Sequence, residues 1–236
     1  MKITWLGHAC FLVEDSKGTR VLTDPFDINP QLFADRGLKF DYPPISGVQA
    51  DLVLISHEHF DHNAAGVVEG SPIIIRRTGK FAIAGVSGVA VDGEHDQEEG
   101  RLRGSNLLMC WEMEGLRLCH FGDFGQAALR PEQIEALGRV DILFLPVGGD
   151  QQKGPTVDAV GARQIVDVLN PHLIFPMHYA TKAVNFLQPV DNFLGLMNQV
   201  EEKGTTSVEI SPNQVLSLSL TVFVLDSPKE AYKNEH

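Results

Sequence analysis

Residues 51–64, Asp-Leu-Val-Leu-Ile-Ser-His-Glu-His-Phe-Asp-His-Asn-Ala, limit what this chain can fold into more than any other stretch. An apolar run short enough for a buried strand ends in His57, His59, Asp61 and His62. A strand that must be covered on both faces belongs inside a layered sheet. Its end has to place three imidazoles and a carboxylate where their lone pairs are useful. A solvated polar loop is the ordinary alternative, but it gives no reason for four ligating side chains within six positions.

The pattern recurs along the chain. KITWLG leads to His8, RVLT to Asp24, VAVDGE to His95, LRLCHFG to Asp123 and HLIFPM to His178. If these strands share a direction, their ends gather at one edge. Further strands are expected at CFLVE, PIIIRR, NLLMCWEM, DILFLPV and TVFVLD.

Helices are expected at PEQIEALG, opened by Pro131 and closed by Gly138, and from Thr156 as N-cap to Asn170. On the second, Val157, Val160, Ile165, Val168 and Leu169 fall roughly on one face. Phe193, Leu196, Met197 and Val200 predict a third helix running to Gly204. Strands with interspersed helices indicate a layered α/β domain over residues 1–236, with the tail after about 225 peripheral. Residues 27–49 lack periodicity and read as a long loop of the kind that carries function.

His57 and His59 can reach one point from an extended turn, and Asp61 and His62 a second nearby. Nitrogen and oxygen donors without thiolate suit zinc, iron, manganese or nickel. With His95, Asp123 and His178 there are seven donors, enough for two divalent ions about 3.5–4 Å apart sharing a group. The helical H-E-x-x-H zinc motif is absent, because its fifth position is Asp61. His120 competes with His95 but sits inside a strand, so it is read as buried and hydrogen-bonded. Asp123 could cap a turn, and His178 could be a core histidine.

HEHFDH is an H-x-H-x-D-H signature. Together with GHACFLVE, TDPF, HDQEEGRLRGSN, CHFGDFG and PMHY, it resembles the metallo-β-lactamase-fold superfamily. Within it the chain resembles a compact branch of bacterial and archaeal metal-dependent hydrolases similar to ascorbate-6-phosphate lactonase. The resemblance covers residues 1 to about 185 and implies a four-layered αββα sandwich. It also implies one metal on His57, His59 and His95, and another on Asp61, His62 and His178, with Asp123 bridging. His8 and Asp24 match marked positions outside that set and are expected to orient imidazoles through their distal nitrogens.

The activity so implied is hydrolysis of a small ester, lactone or phosphoester by a metal-bridging hydroxide, with Asp61 holding the nucleophile and zinc, manganese or iron as cofactor. A phosphodiesterase acting on a small nucleotide or phospholipid is the alternative. A di-iron oxidoreductase and a non-catalytic metal-binding scaffold are the readings from other classes. Arg101, Arg103 and Tyr179 are the candidates for meeting a small, anionic substrate, while Lys153 reads as a surface charge.

A net charge of −12 argues against a long nucleic acid partner. No run is long enough to span a bilayer, and no signal peptide is evident. The three cysteines form no CxxC pair, so they are expected to be reduced, in a cytoplasmic protein. A homo-oligomer is compatible with all of this.

Overall fold

The computed structural model describes residues 1–150 and 156–228. Lys153 and most of the tail after 225 lie outside the described residues. β1 (Lys2–Gly7), β2 (Cys10–Glu14), β3 (Arg20–Thr23), β4 (Leu52–Leu54) and β5 (Ile73–Ile75) form one sheet. The other holds β6 (Gly79–Ile83), β7 (Val86–Glu94), β8 (Ser105–Met113), β9 (Leu116–His120), β10 (Ile142–Pro146), β11 (Leu173–Met177) and β12 (Val200–Glu202). β13 (Ser207–Glu209) then pairs with β1, and β14 (Thr221–Val224) lies between β11 and β12. The C-terminal strands therefore enter both sheets.

The sheets pack face to face through large apolar side chains, because alternate residues of each strand point inward. Phe11 of β2 lies against Phe144 of β10, ring centroids 4.7 Å apart, and against Phe175 of β11 at 6.1 Å. Trp111 of β8 stacks on Phe144. The helices are α1 (Pro30–Ala34), α2 (Pro131–Leu137), α3 (Ala159–Leu169), α4 (Asp191–Leu194) and α5 (Pro212–Ser217). α3 connects the parallel neighbours β10 and β11, and α2 packs on β7, so both serve the second sheet. Over the first sheet, Phe26, Phe33, Phe40 and Tyr42 bury Leu22, Val53 and Ile55. The four-layer α/β sandwich is thus the arrangement found, but one outer layer is the 27–49 segment, whose only helix is the five-residue α1.

Two helix expectations need correction. α3 is capped by Asp158, whose carboxylate accepts from the Gly161 N–H at 2.9 Å, and not by Thr156. Its buried face is Ala159, Ala162, Ile165 and Val166, while Val160 and Val168 are exposed. Beneath a crossover helix the small residues allow close approach to the sheet, so apolar type alone misplaces the face. Asp158→Ala is expected to cost about 1 kcal/mol, read as a fall in Tm of roughly 2–4 °C.

The third helix stops at Leu194. Beyond it the N–H groups of Leu196 and Met197 reach back only three residues, and the Leu196 carbonyl accepts from Arg163 Nη1 at 2.8 Å. Residues Val200–Glu202 pair instead with β14 as an edge strand. β6, β12 and β13 are short or exposed strands that periodicity does not reveal. Among the described residues no helix is long and apolar enough to cross a membrane. All three cysteines are free and buried.

Candidate metal centre

β1, β3 and β4 run in one direction, as do β7, β9 and β11, because each group is related by two antiparallel steps or by parallel pairing. Their C-terminal ends present His8, Asp24, His57, His95, Asp123 and His178, and the condition set by the sequence pattern is met. Three of these residues leave their strands in the left-handed region: His8 at φ 52°, Asp24 at φ 39° and His178 at φ 52°. For residues with a Cβ this costs on the order of 1–3 kcal/mol each. Here it turns the side chain off the strand axis toward the cluster.

Two donor sets result. In the first, the rings of His57, His59 and His95 have centroids 4.6–4.9 Å apart. His57 Nε2 is 3.0 Å from His59 Nδ1. The second gathers Asp61, His62 and His178 with His8 beside them, and the ligand atoms within each set lie within 4.8 Å of one another. Asp123 stands between the sets, with Oδ2 2.8 Å from His95 Nε2 and 3.5 Å from His178 Nε2. Its other oxygen accepts the Thr156 hydroxyl, and its backbone N–H is held by Asn106 Oδ1 at 2.8 Å.

A buried carboxylate behind the cluster fixes the imidazole tautomers. Asp24 accepts from the Ser56 N–H at 2.7 Å and from the Ser56 hydroxyl at 2.6 Å. Ser56 Oγ, having spent its proton on Asp24, must accept from His57 Nδ1–H at 2.9 Å. His62 Nδ1–H donates to Asp24 Oδ2 directly, also at 2.9 Å. Both rings therefore turn an unprotonated Nε2 toward the cluster, the orientation a metal requires. His120 does not join them. Its Nε2–H donates to the Ala9 carbonyl at 2.8 Å, and its Nδ1 accepts from the Gly122 N–H at 3.1 Å. Ser56→Ala is expected to weaken metal binding roughly 10–100-fold, measured by chelator competition.

Gly122 has to be glycine. It sits at φ 57°, and a Cβ there would lie 2.3 Å from Asn106 Oδ1 and 2.4 Å from Ser56 Cβ. Gly148 is equally tight, since a Cβ would meet the His178 carbonyl oxygen at 2.3 Å. The backbones around the two sets are thereby packed without intervening side chains.

The electrostatics test whether cations fit here. Burial, reinforced by neighbouring charged rings, lowers the pKa of His62 to about 4 and that of His178 to about 3, with the nearby carboxylates opposing. His57 is driven well down, first by burial and then by His62. Burial also acts on Asp61 and Asp123, but their histidine neighbours outweigh it and hold both carboxyls well below the usual range. At neutral pH His62 is thus uncharged, with its one N–H committed to Asp24. Its buried Nε2 lone pair has no hydrogen-bond partner and faces Asp61 Oδ2 at 3.9 Å. Two acceptors directed at one another are repulsive unless a cation or a donor lies between them, and His62 Nε2 is sealed from solvent. The donor set therefore fits a metal ion.

Comparison with known proteins identifies the family of the chain. A family profile described as a beta-lactamase superfamily domain matches residues 2–178. The chain belongs to the metallo-β-lactamase superfamily. A UPF0173 protein of Pyrococcus furiosus is 32% identical over 198 residues, covering 77% of this chain and 84% of that one. A UPF0173 metal-dependent hydrolase of Thermococcus kodakarensis is 31% identical over 209 residues, covering 77% and 85%. The crystal structure of a Thermotoga maritima protein, described as a candidate Zn-dependent hydrolase of the superfamily, superposes with a TM-score of 0.74 at 36% identity. That match covers 95% of this chain and 97% of the other.

Within this metallo-β-lactamase fold, some sequence-selected residues sit elsewhere than expected. Asp24 accepts from the His62 ring directly and reaches the His57 ring through Ser56. His8 Nε2 lies 3.3 Å from Asp61 Oδ2, and the His8 ring stands 4.2 Å from that of His178. Tyr179 is buried in the core, with its ring 5.4 Å from that of Trp5. Arg101 is tied to Glu98 at 3.0 Å and lies near Glu99. Ser56, Asn106 and Thr156 also belong to the site, although no motif marks them. Ser56 is signalled by its place before His57, whereas the other two reach the site only through tertiary packing.

Proposed function

We propose that the protein is a dinuclear metal-dependent hydrolase acting on a small ester, lactone or phosphoester. The observation that carries this reading is the position of Asp123, whose single oxygen Oδ2 faces a histidine of each donor set. His57, His59 and His95 would hold one cation and Asp61, His62 and His178 the other, with Asp123 shared between them. When bound, divalent zinc, or manganese or iron in its place, supplies acidification of water and polarisation of a substrate oxygen.

The chain's own groups have distinct tasks. Asp24 and Ser56 keep the Nε2 atoms of His57 and His62 unprotonated. Thr156 and Asn106 prevent Asp123 from swinging away. The Asp61 carboxylate is partly open to solvent, so it can hold and orient an attacking water. The UPF0173 relatives named as metal-dependent hydrolases support the same reading. A phosphodiester of a small nucleotide or phospholipid is the second substrate class.

The test is elemental mass spectrometry on untagged protein purified without added metal or chelator, followed by hydrolysis assays on lactones and phosphodiesters. Near two zinc or manganese ions per chain, with turnover of one class, is expected. Two irons per chain would favour the oxidoreductase reading. Little metal, with none taken up on titration, would overturn the proposal and leave a scaffold.

A further inference from the structure

The mouth of the centre differs at its two ends, and the difference is in the kind of group each end can receive. At the His57, His59 and His95 end, the β7–β8 connection is a fixed loop. The His95 N–H donates to the Gly104 carbonyl at 3.1 Å, closing its base. Inside it, the Asp96 carboxylate accepts four backbone N–H groups, from Glu98, Gly100, Leu102 and Arg103, at 2.7–3.0 Å. Cross-strand register continued from Glu94 opposite Ser105 sets Arg103 opposite Asp96, one residue beyond His95.

Most arginines of the chain are matched. Arg76, Arg101, Arg117, Arg130, Arg139 and Arg163 each meet a carboxylate. Arg103 is exposed and forms no ion pair among the described residues. Its backbone N–H, donated to Asp96 at 2.7 Å, holds it across the loop from the residue that follows His95.

The Asp61, His62 and His178 end is apolar. Phe40 meets the His8 ring edge-on at 5.0 Å, and Phe33 lies 5.4 Å from Phe40. Phe33 in turn contacts Phe186 at 5.6 Å and Phe60 at 5.7 Å. Phe60, inside the HEHFDH motif, is 55% exposed. The buried rings of Phe33 and Phe40 thus connect His8 to Phe60 and Phe186, which are the rings of this cluster that reach the surface.

We propose that Arg103 is a specificity residue that receives an anionic group, carboxylate or phosphate, on a substrate whose apolar body lies against the exposed Phe60 and the half-buried Phe186. This rests on the dinuclear hydrolase reading and adds the substrate class to it. A net charge of −12 repels anions at long range, so an anionic substrate needs a local unpaired cation. A guanidinium on a preorganised loop meets that need as a two-point donor to either anion. Arg101, on the same loop, is already engaged by Glu98 and Glu99 and cannot serve without breaking those pairs.

The experiment uses metal-loaded full-length protein, with metal content measured on each sample, and calorimetric binding of 4-phenylbutanoate and its neutral amide. Arg103→Gln is expected to weaken the carboxylate probe at least tenfold and to leave the amide within twofold, whereas Arg101→Gln changes neither. Phe60→Ala should weaken both probes by similar factors. If Arg103→Gln binds the carboxylate as wild type does, with two metals still present, Arg103 is not the anion site and the inference falls. If both variants weaken the carboxylate equally, the effect is general surface charge, and the inference falls as well. Failure of the hydrolase reading looks different, because the wild-type sample itself would then hold no metal pair.

Discussion

Replacing Asp123 with Asn is expected to lower hydrolysis on the order of 10³-fold and to bring bound metal below two ions per chain. The amide keeps the shape, and its oxygen can still accept the Thr156 hydroxyl, so the fold should survive. What it loses is the negative charge between His95 and His178. Where a carboxylate offered Oδ2, the amide presents N–H groups that cannot serve a cation. A loss of about 4 kcal/mol of transition-state stabilisation corresponds to that factor. The measurements are kcat/KM and elemental analysis on the same preparations, with thermal unfolding as the check on folding. Two retained metals with activity within tenfold of wild type would remove Asp123 from its proposed place.

The second large effect is acid sensitivity of the metal-stripped protein. In the folded chain burial lowers His62 to about 4 and His178 to about 3, against an ordinary value of 6.5. Well above pH 6.5 neither ring carries a proton in either state, and their contribution to stability is fully present. As pH falls from 6.5 toward 4, the unfolded chain takes up protons that the folded chain refuses, and stability is lost. The pair together accounts for a loss on the order of 5 kcal/mol.

Asp61 and Asp123, held low by their histidines, add to the loss once pH falls below the usual carboxylate range. His95 acts in the opposite sense. Burial lowers it, but the Asp123 charge and hydrogen bond outweigh burial and raise it, so its contribution fades as pH rises. Urea unfolding of chelator-treated protein between pH 7.5 and 4.5 reads the sum. A midpoint that is flat across that interval would show that His62 and His178 are not held neutral in the folded state.

Much of the site was legible in the sequence because its donors lie at the ends of strands whose apolar runs are unmistakable. DLVLIS before His57 and HLIFPM before His178 locate their residues whatever the rest of the chain does. The 3.6-residue signal was less dependable. Phe193, Leu196, Met197 and Val200 have helical spacing, yet the chain turns after Leu194 because Arg163 captures the Leu196 carbonyl and β14 offers a strand partner. Thr156 looked like a helix cap and is the clamp on Asp123, a distinction that depends on where a residue 33 positions away comes to lie.

By itself, then, the sequence determined the class of fold, the strand ends and the chemical types of the donors. These depend on local patterning and on side chains that have few other reasons to cluster. Only the tertiary structure decided which donors share a set, that Asp123 faces both, that Asp24 acts through Ser56, and that Tyr179 belongs to the core. It also separated Arg103 from Arg101, two residues alike in type and neighbourhood. The physical reason is range. Periodicity is set by neighbours a few residues apart, whereas a lone pair is aimed, and a charge left unpaired, by groups that only folding brings together.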